Sequence, residues 1–480
     1  MNLMEQKFST YQHNRRKHWD AVAVPKDTHG YWGKYYHERL IQIYRMVVAP
    51  GQKVIEIGCR TGELLASLKP SFGLGIDFSE EMVRQAARNH PEFSFILADA
   101  HQLGCIRQKF DVIILSDLVN DLWDVQTVFN QIAEISSPAT RLILNTYSRL
   151  WELPLRLAQT LKVMTPLLPQ NWLTQDDICN LLNLSDFEVI RRWTEILWTF
   201  DTPVLAKFFN SFAVKIWPLR YFALTNFIIA RPFAPGCTVR KKPSVSVVIP
   251  ARNEAGNVSR IFEQMPEMGP GTEMIFVEGH SADDTYAVIE KEIQKHPERQ
   301  CLLFRQTGKG KGDAVRLGFA HAGGEILMIL DADLTVLPEE LPRFYDALIS
   351  GKGEFINGVR LVYPMEKQAM RYLNLIGNKF FSLAFSWLLE QPVKDTLCGT
   401  KVLWKYDYER IAANRAYFGD FDPFGDFDLL FGAAKLNLKI ADMPIRYNER
   451  TYGSTNIRRW KHGWLLLRMI MFAAGRMKFV

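Results

Sequence analysis

The 480-residue sequence lacks any uncharged apolar run close to the roughly 18 residues that a membrane-spanning helix requires. Its N-terminal segment also lacks the apolar core of a signal peptide. The six cysteines stand singly, without a CxxC pair and without histidines at a spacing suited to zinc. These absences lead us to expect reduced thiols, a cytoplasmic location and no segment that crosses a membrane.

Long runs of one charge are absent as well, and the net charge of +6 is small for this length. We therefore expect no nucleic-acid partner. Hydrophobic residues make up 48% of the chain, which is enough for packed cores. At roughly 150 residues per domain, the length suggests two of the larger α/β domains.

Short Val- and Ile-rich runs alternate with helical segments, a pattern typical of doubly wound, mostly parallel α/β sheets. In the first half we predict strands at 53–58, 73–77, 93–97, 111–116, 141–146, 187–193 and 225–230. A second series is predicted at 245–250, 273–279, 301–306 and 326–333. The segment 231–244 contains three prolines and several charges, which indicates an interdomain linker. We divide the chain into domains at 1–235 and 244–480, joined by a linker at 236–243.

The first motif is a glycine-rich turn after a strand, with Glu56 followed by Gly58 and Gly62. Such a turn lets the backbone approach a bulky ligand closely. The next two strands end at Asp77 and before Asp99, and a carboxylate at a strand end can accept ribose hydroxyls. Open α/β sheets bind ligands at this carboxyl edge.

With these residues, the first 232 or so resemble a class I S-adenosylmethionine-dependent methyltransferase. The resemblance implies a seven-stranded Rossmann-like sheet and an S-adenosylmethionine site formed by Glu56, Gly58, Gly62, Asp77 and Asp99. Arg60 stands where the family usually has a glycine. The alternative is a domain that only binds S-adenosylmethionine, as a sensor or scaffold.

The methyl acceptor is less readily predicted. Segment 116–124 follows the fourth strand and brings Asp117, Asn120 and Asp121 to the region where an acceptor would lie. Methyl transfer needs in-line positioning and at most one general base, for which Asp121 is our candidate. The alternative is that these residues cap a helix and face solvent.

The second motif is an apolar strand that ends in Asp331 and Asp333, whose carboxylates suit Mg²⁺ or Mn²⁺. A cation held there would neutralise the diphosphate of a nucleotide-sugar. Glu254 and Glu278 follow two earlier strands, and Lys311 lies in a basic loop before a helix.

In this order the elements resemble glycosyltransferase family 2, which has a nucleotide-sugar-binding fold called GT-A, over nearly all of 244–480. Segments 395–401 and 444–457 are similar to segments of polyprenyl-phosphate sugar transferases. The resemblance implies a metal held by Asp331 and Asp333. It further implies a nucleotide-sugar site formed by Pro250, Glu254, Glu278, Lys311, Asp331, Arg450 and Ser454.

A general base for sugar transfer is predicted at Asp428 or Asp426, where related inverting enzymes carry an acid that deprotonates a sugar hydroxyl. A lipid phosphate acceptor is already anionic and would need no base. In that case these acids would orient Lys435 or cap a helix.

Two segments, 367–389 and 457–480, combine aromatic and aliphatic residues with cations and no carboxylate. This composition favours helices on a membrane surface, and the alternative is that both pack as core helices.

Together these features predict a bifunctional methyltransferase and metal-dependent glycosyltransferase. Its acceptor would be a cell-surface or polyprenyl-phosphate-linked glycan, and a peripheral contact with the cytosolic face of the membrane is expected. Two alternatives remain: a glycosyltransferase with a non-catalytic S-adenosylmethionine-binding domain, and a soluble enzyme that makes a methylated small-molecule glycoside.

Overall fold

The computed structural model describes residues 3–23, 31–160, 168–233, 242–360, 372–414, 426–446, 452 and 459–479. The chain forms two compact units, Met1–Ala234 with Met477–Val480, and Pro235–Arg476. Each unit is an α/β fold around one seven-stranded sheet.

The first unit has seven strands in the order β3-β2-β1-β4-β5-β7-β6. The strands are β1 (Lys53–Ile57), β2 (Phe72–Asp77), β3 (Ser94–Leu97), β4 (Val112–Ser116), β5 (Arg141–Tyr147), β6 (Phe187–Glu195) and β7 (Thr225–Pro232). Its helices are α1 (Leu3–Ala23), α2 (Tyr31–Val47), α3 (Glu63–Ser67), α4 (Glu80–Asn89), α5 (Val125–Glu134), α6 (Glu152–Thr160), α7 (Gln175–Leu184) and α8 (Pro203–Lys207). A single π-helical turn spans Phe208–Phe212, and short 3₁₀ turns span Val119–Asp121, Arg149–Trp151, Ala213–Lys215 and Leu219–Phe222.

All seven strands predicted for the first half are confirmed, and their pairing is parallel except at β7, which runs antiparallel to β5 and β6. The proline- and charge-rich segment 231–244, interpreted as an interdomain linker, overlaps the first sheet at its first two positions. Arg231 and Pro232 belong to β7 and pair with Glu188 and Phe187. Arg231 also donates two hydrogen bonds to the Glu188 carboxylate, so the strand continues past the position at which the proline suggested a break.

The second unit has the strand order β10-β9-β8-β11-β13-β12-β14. The strands are β8 (Val245–Ala251), β9 (Thr272–Glu278), β10 (Cys301–Arg305), β11 (Ile326–Ile329), β12 (Phe355–Val359), β13 (Lys401–Trp404) and β14 (Ile440–Pro444). Its helices are α9 (Val258–Gln264), α10 (Thr285–Lys295), α11 (Lys311–His321), α12 (Leu341–Ile349), α13 (Tyr372–Leu389), α14 (Lys405–Ala413), α15 (Asp426–Lys435) and α16 (Arg459–Met477).

The four strands predicted for the second half are confirmed as β8 to β11, although β11 ends at Ile329 before the acidic pair. Strands β12, β13 and β14 were not predicted, because each combines a short apolar run with polar, glycine or proline residues, in the sequences FINGV, KVLW and IADMP. Since β13 runs antiparallel to β11 and β12, its first residue lies at the edge where the parallel strands end.

Helices α13 and α16 each have one buried and one exposed apolar face. In α13, Phe385 and Leu389 are buried while Leu383 and Phe380 are exposed. In α16, Leu466, Ile470 and Ala473 are among the buried residues, whereas Trp464 and Met471 are exposed. In the part of the chain that the structure describes, no helix combines the length and hydropathy needed to cross a membrane.

We expect the two halves of the chain to fold separately, because each has its own sheet and the segment between them is rich in proline and charge. Limited proteolysis followed by mass spectrometry should give two stable fragments that meet within 234–243. Stable fragments that begin or end inside either sheet would contradict this division.

Candidate functional sites

The glycine-rich turn follows β1 at the carboxyl edge of the first sheet. Gly58 and Gly62 have φ values of 79° and 80°, in the left-handed region that favours glycine. Arg60 also takes this conformation, with φ 50°, although it is not a glycine. The Arg60 guanidinium lies 2.9 Å from His37 Nε2 and stacks over the Trp19 ring. Arg60 therefore takes a backbone conformation that favours glycine and places a cation beside the turn.

Asp77 ends β2 and lies directly beside this turn. Its two carboxylate oxygens accept hydrogen bonds from the backbone N–H groups of Arg60, at 3.0 Å, and Ser79, at 2.9 Å. Burial raises the pKa of this carboxyl, while the two backbone donors lower it in part. Each oxygen keeps a second lone pair, so Asp77 can still accept from ligand hydroxyls.

Asp99 and Glu56 occupy the ends of β3 and β1. Asp99 accepts from Gln12 Nε2 at 2.6 Å and lies 2.7 Å from His101 Nδ1. Burial acts to raise the pKa of Asp99, but the hydrogen bonds from His101 and Gln12 outweigh it and hold that pKa below the usual range. Glu56 accepts from the Leu65 backbone N–H at 3.0 Å, and burial raises its pKa to about 8. This hydrogen bond thus joins the first turn of α3 to the end of β1.

Asp121, the predicted base for methyl transfer, is buried and engaged by helix α1. Its carboxylate forms an ion pair with Arg15 and accepts from Trp19 Nε1 at 2.9 Å. Tyr11 donates to its backbone carbonyl. Asn120 is also occupied, because its amide donates to Asn171 O and accepts from Tyr147 N. Neither residue is a solvated helix cap.

Helix α1 was missed as a functional element by the sequence analysis. Tyr11, Gln12, Arg15 and Trp19 contact the acidic strand ends from one helical face. Gln12, Arg15 and Trp19 follow Tyr11 by one, four and eight positions. This helical spacing is the signal that could have identified the face.

Asp117 is the carboxylate nearest the end of β4, and the sequence analysis did not single it out as a base. Its backbone is left-handed, with φ 54°. Oδ1 accepts from Tyr36 Oη at 2.9 Å and from Asn145 Nδ2 at 2.5 Å. Burial raises the pKa of Asp117 to about 6, against the lowering effect of these donors and of the Arg60 charge. A carboxyl group with this pKa can exchange a proton near neutral pH.

In the second unit, three acids lie at the carboxyl ends of adjacent parallel strands. Strands β9, β8 and β11 are neighbours, and they lead to Glu278, Glu254 and Asp331. Pro250 lies in β8, opposite Val277. The sheet order therefore brings the predicted nucleotide-sugar residues of three strands to one edge.

The acidic pair after β11 is held by different groups. Asp331 Oδ1 forms an ion pair with Lys311 Nζ at 2.6 Å. Asp333 accepts from the backbone N–H and the hydroxyl of Thr335. Burial acts to raise the pKa of Asp331, but the positive charges of Lys311, Arg360 and Lys401 outweigh it and hold that pKa below its usual range.

The two acids fit a magnesium or manganese ion that is bound together with a diphosphate. Magnesium bound in this way commonly takes one or two carboxylates and keeps the substrate phosphates and waters as its other ligands. Asp331 and Asp333 supply two carboxylates that are separated by one residue, at a strand end. Within the described ranges, no group of three or more His, Cys, Asp or Glu residues could hold a metal by itself.

A second set of residues beside Asp331 was not identified from the sequence. Arg360, just after β12, makes a two-pronged ion pair with the buried Asp395, at 2.7 and 2.9 Å. Lys401 starts β13, is fully buried and donates to Cys398 O. The loop 395–401 thus provides Asp395, which pairs with Arg360, and the buried ammonium of Lys401. The charges of Arg360 and Lys401 act on Asp331.

Gly399 is the point at which this loop meets the acidic pair. A Cβ at this position would collide with Asp331 Oδ2 and Lys311 Nζ. A larger residue would therefore force the Asp331 carboxylate and the Lys311 ammonium to move.

We expect Gly399→Ala to lower sugar transfer by about 100-fold, because displacement of a reacting group by about 1 Å costs this much. The measurement is nucleoside diphosphate release under fixed substrate concentrations. Gly377→Ala is the matched control, since a Cβ there meets nothing within 4 Å. Equal activity of the two variants would show that Gly399 does not control the position of Asp331.

Glu254 and Glu278 lie at the carboxyl edge of the second sheet, at the ends of β8 and β9. Glu254 accepts from Asn257 Nδ2 at 2.7 Å, and Glu278 accepts from the Ser281 backbone N–H. Tyr452 donates to Asp283 at 3.3 Å and covers Gly256, where an added Cβ would come within 2.6 Å of its ring. Tyr452 therefore lies close to the residues that follow β8 and β9.

Of the remaining predicted residues, only some lie within the described ranges. Asp428 lies in α15 and is nearly buried. Asp426 begins α15, but its side chain lies outside the described residues. Arg450 and Ser454 lie outside the described residues altogether.

Comparison with known sequence families gives one match in each unit. Residues 49–195 match a family described as Methyltransferase domain. Residues 246–408 match the family described as Glycosyl transferase family 2.

Three curated proteins are similar to parts of the chain. Polyprenol monophosphomannose synthase of Mycolicibacterium smegmatis is 26% identical over 224 residues, which are 45% of this chain and 82% of that protein. Dolichol-phosphate mannosyltransferase of Pyrococcus furiosus is 32% identical over 109 residues, 22% of this chain and 30% of that protein. Low-salt glycan biosynthesis hexosyltransferase Agl6 of Haloferax volcanii is 24% identical, over 48% of this chain and 54% of its own length. For the second and third of these, the chain spans well under two thirds of the relative.

Two solved structures are also similar. One is magnesium protoporphyrin IX methyltransferase from Synechocystis PCC 6803 with bound SAH, at 18% identity and a TM-score of 0.27, covering 48% of this chain and 88% of that one. The other is glucosyl-3-phosphoglycerate synthase from Mycobacterium tuberculosis with Mn²⁺, UDP and glucosyl-3-phosphoglycerate. It has 18% identity and a TM-score of 0.36, and the match covers 49% of this chain and 80% of that one.

Proposed function

We propose that this chain, which joins a methyltransferase domain to a glycosyltransferase family 2 domain, is a bifunctional enzyme of glycan synthesis. The second domain would transfer a sugar from a nucleotide-sugar to a polyprenyl phosphate or a glycan carried on it. The first would methylate such a glycan with S-adenosylmethionine.

The contact between Lys311 and Asp331 carries the proposal for the second domain. Lys311 starts α11, so its ammonium lies at a helix N-terminus, where an anionic group is favoured. A diphosphate would bring negative charge to this ammonium and to Arg360 nearby. Asp331 and Asp333 would hold a divalent cation, which when bound offsets the charge that develops on the leaving nucleoside diphosphate.

The nucleoside of the donor would bind beside Glu254, Glu278 and Tyr452. Both glutamates are buried yet lie at strand ends, so each can accept from a base or ribose donor. We propose that Pro250 belongs to the same nucleoside site and that Arg450 and Ser454 bind the phosphate end of donor or acceptor.

A polyprenyl phosphate is the acceptor we favour, because the match with a polyprenol monophosphomannose synthase extends over 82% of that protein. An anionic phosphate needs no general base. Asp428 and Asp426 would then support α15 rather than remove a proton. The exposed apolar faces of α13 and α16 would provide a peripheral membrane contact for such an acceptor, on the cytosolic side.

For methyl transfer we propose that Asp77 binds the ribose hydroxyls and Asp99 the adenine side of S-adenosylmethionine. Gly58 and Gly62 would allow close approach of the methionine part, with Glu56 holding the turn. Asp117 is our revised candidate for the acceptor base, because Tyr36 and Asn145 donate only to its Oδ1. Asp121 is better suited to position α1, since Arg15 and Trp19 engage both of its oxygens.

The experiment that tests this function is incubation of the intact protein with a panel of nucleotide-sugars, polyprenyl phosphate and S-adenosylmethionine, followed by mass spectrometry of the lipid products. A polyprenyl-phosphate sugar is expected, with a methyl group added to it or to a longer glycan. Transfer only to water-soluble acceptors would favour the small-molecule alternative. Binding of S-adenosylmethionine without any methylated product would favour the scaffold alternative.

Asp428→Asn distinguishes the two acceptor classes. With a sugar hydroxyl as acceptor, loss of a general base should slow transfer by roughly 100-fold or more. With a phosphate acceptor, the expected change is less than about threefold, because no proton has to be removed. The measurement is the rate of nucleoside diphosphate release with each acceptor.

A further inference from the structure

One edge of the first unit carries a large exposed apolar surface that neither proposed reaction uses. We call it the apolar rim, and define it as residues 150–157 and 204–222. The side chains of Val204, Leu153 and Trp217 are 81%, 75% and 71% exposed, and Phe208, Leu157 and Phe222 are exposed as well. Single exposed apolar residues are common on protein surfaces, but many of them on two short segments of the chain usually mark an interaction site.

The apolar rim is an ordered part of the fold. Asn210 is buried beneath it, donates to Trp198 O at 2.7 Å and accepts from the N–H groups of Leu197 and Trp198. Lys215 is buried in an ion pair with Glu195. The exposed side chains therefore stand on a scaffold that is held by buried hydrogen bonds and a buried ion pair.

The two segments of the apolar rim are joined to each other. Trp151 Nε1 donates to Phe222 O at 2.9 Å, and Ser148 N donates to Leu224 O at 2.7 Å. Segment 150–157 follows the carboxyl end of β5, and segment 204–222 connects the end of β6 to the start of the antiparallel β7. Both segments therefore lie at the carboxyl edge of the sheet, where Asp77 and Asp117 also lie.

The charges within the apolar rim are almost all positive. Residues 203–224 include no Asp or Glu, and Lys207 and Arg220 are exposed there. The one acid of 150–157, Glu152, is paired with Arg156 at 2.7 Å. In a symmetric dimer formed through this surface, Lys207 and Arg220 would face cations of the second copy. This repulsion disfavours a second copy of the chain as the partner of the apolar rim.

We propose that the apolar rim docks the first unit on an anionic lipid bilayer. Aromatic and aliphatic side chains would enter the interface between headgroups and acyl chains, where Trp and Tyr are favoured. Lys207 and Arg220 would lie at the level of the anionic headgroups. The docking does not depend on either transfer reaction.

The test uses the intact protein with phosphatidylcholine vesicles, with and without phosphatidylglycerol. Hydrogen–deuterium exchange read by mass spectrometry should show slower exchange in 204–222 when anionic vesicles are present, and no change in 175–186. In flotation assays, the double variant Trp217→Ser with Phe222→Ser should bind these vesicles at least about tenfold more weakly. Leu184→Ser is the matched control, because Leu184 is exposed and apolar but precedes β6 at the opposite edge of the sheet.

Unchanged exchange in 204–222 on vesicle-bound protein would overturn the proposal, because the protein would then be attached through another surface. Absence of binding to anionic vesicles would overturn it too. Light scattering after size-exclusion chromatography provides a further outcome. A dimer that the double variant dissociates, with no vesicle binding by either protein, would assign the apolar rim to a second copy instead.

Discussion

Replacement of Asp331 by Asn is expected to lower sugar transfer by at least about 100-fold, and Asp333→Asn should have a similar effect. These carboxylates are our proposed ligands for the divalent cation, whose stabilisation of a leaving diphosphate is worth several kcal/mol. Asp331→Asn also removes the carboxylate that pairs with Lys311 and lies among the charges of Arg360 and Lys401. The measurement is nucleoside diphosphate release, with and without a chelator of divalent metal.

Asp346→Asn serves as the control, because Asp346 is an exposed carboxylate on α12 of the same unit. It should keep the activity of the unaltered protein, and chelation should abolish transfer in both. Full activity of Asp331→Asn together with full activity in the presence of the chelator would rule out the metal-dependent mechanism.

Asp77→Ala is expected to weaken S-adenosylmethionine binding by about 100-fold or more, since hydrogen bonds to a charged acceptor contribute roughly 1.5–3 kcal/mol each. Two ribose hydroxyls would lose their acceptor. The backbone N–H groups of Arg60 and Ser79 would lose theirs as well, so the glycine-rich turn should become less ordered. Titration calorimetry with S-adenosylmethionine measures the effect.

The matched control is Asp111→Ala. Asp111 also accepts a backbone N–H, from Lys53 at 2.9 Å, but it precedes β4 at the opposite edge of the sheet. A comparable loss of affinity in both variants would mean that general destabilisation, rather than a missing ribose acceptor, explains the result. No heat of binding in the unaltered protein would refute the proposed cofactor.

Most of the fold could be predicted from the sequence because several strands are continuous runs of β-branched and aliphatic residues. Strand β8 (Val245–Ala251) and strand β4 (Val112–Ser116) are of this kind, and both are central in their sheets. Strand β13 (Lys401–Trp404) could not be predicted, because it starts with a lysine and its apolar run is too short to show a periodic pattern.

The site residues could likewise be predicted where local patterns indicate them, and not where their partners are distant in the chain. Glu254, Glu278 and Asp331 were found because each follows a strand that can be recognised locally, and parallel strands end at one edge. Asp395 and Arg360 were missed because their pairing joins a loop to the end of β12, 35 residues away. Asp121 was assigned a catalytic role because nothing near it in the chain indicates Arg15, which is 106 residues away.

The sequence by itself determined two α/β domains, the acids at their strand ends and the glycine-rich turn, because these depend on local hydrophobic patterns and on turn chemistry. The tertiary structure alone decided which carboxylates are engaged and which can still accept a ligand. It pairs Asp331 with Lys311 and Asp121 with Arg15, and it brings Gly399 against Asp331. It also decided that apolar side chains of segment 204–222 such as Val204 and Trp217 are exposed rather than buried. These outcomes follow from the order and direction of strands in the sheets, which bring together residues that are far apart in the chain.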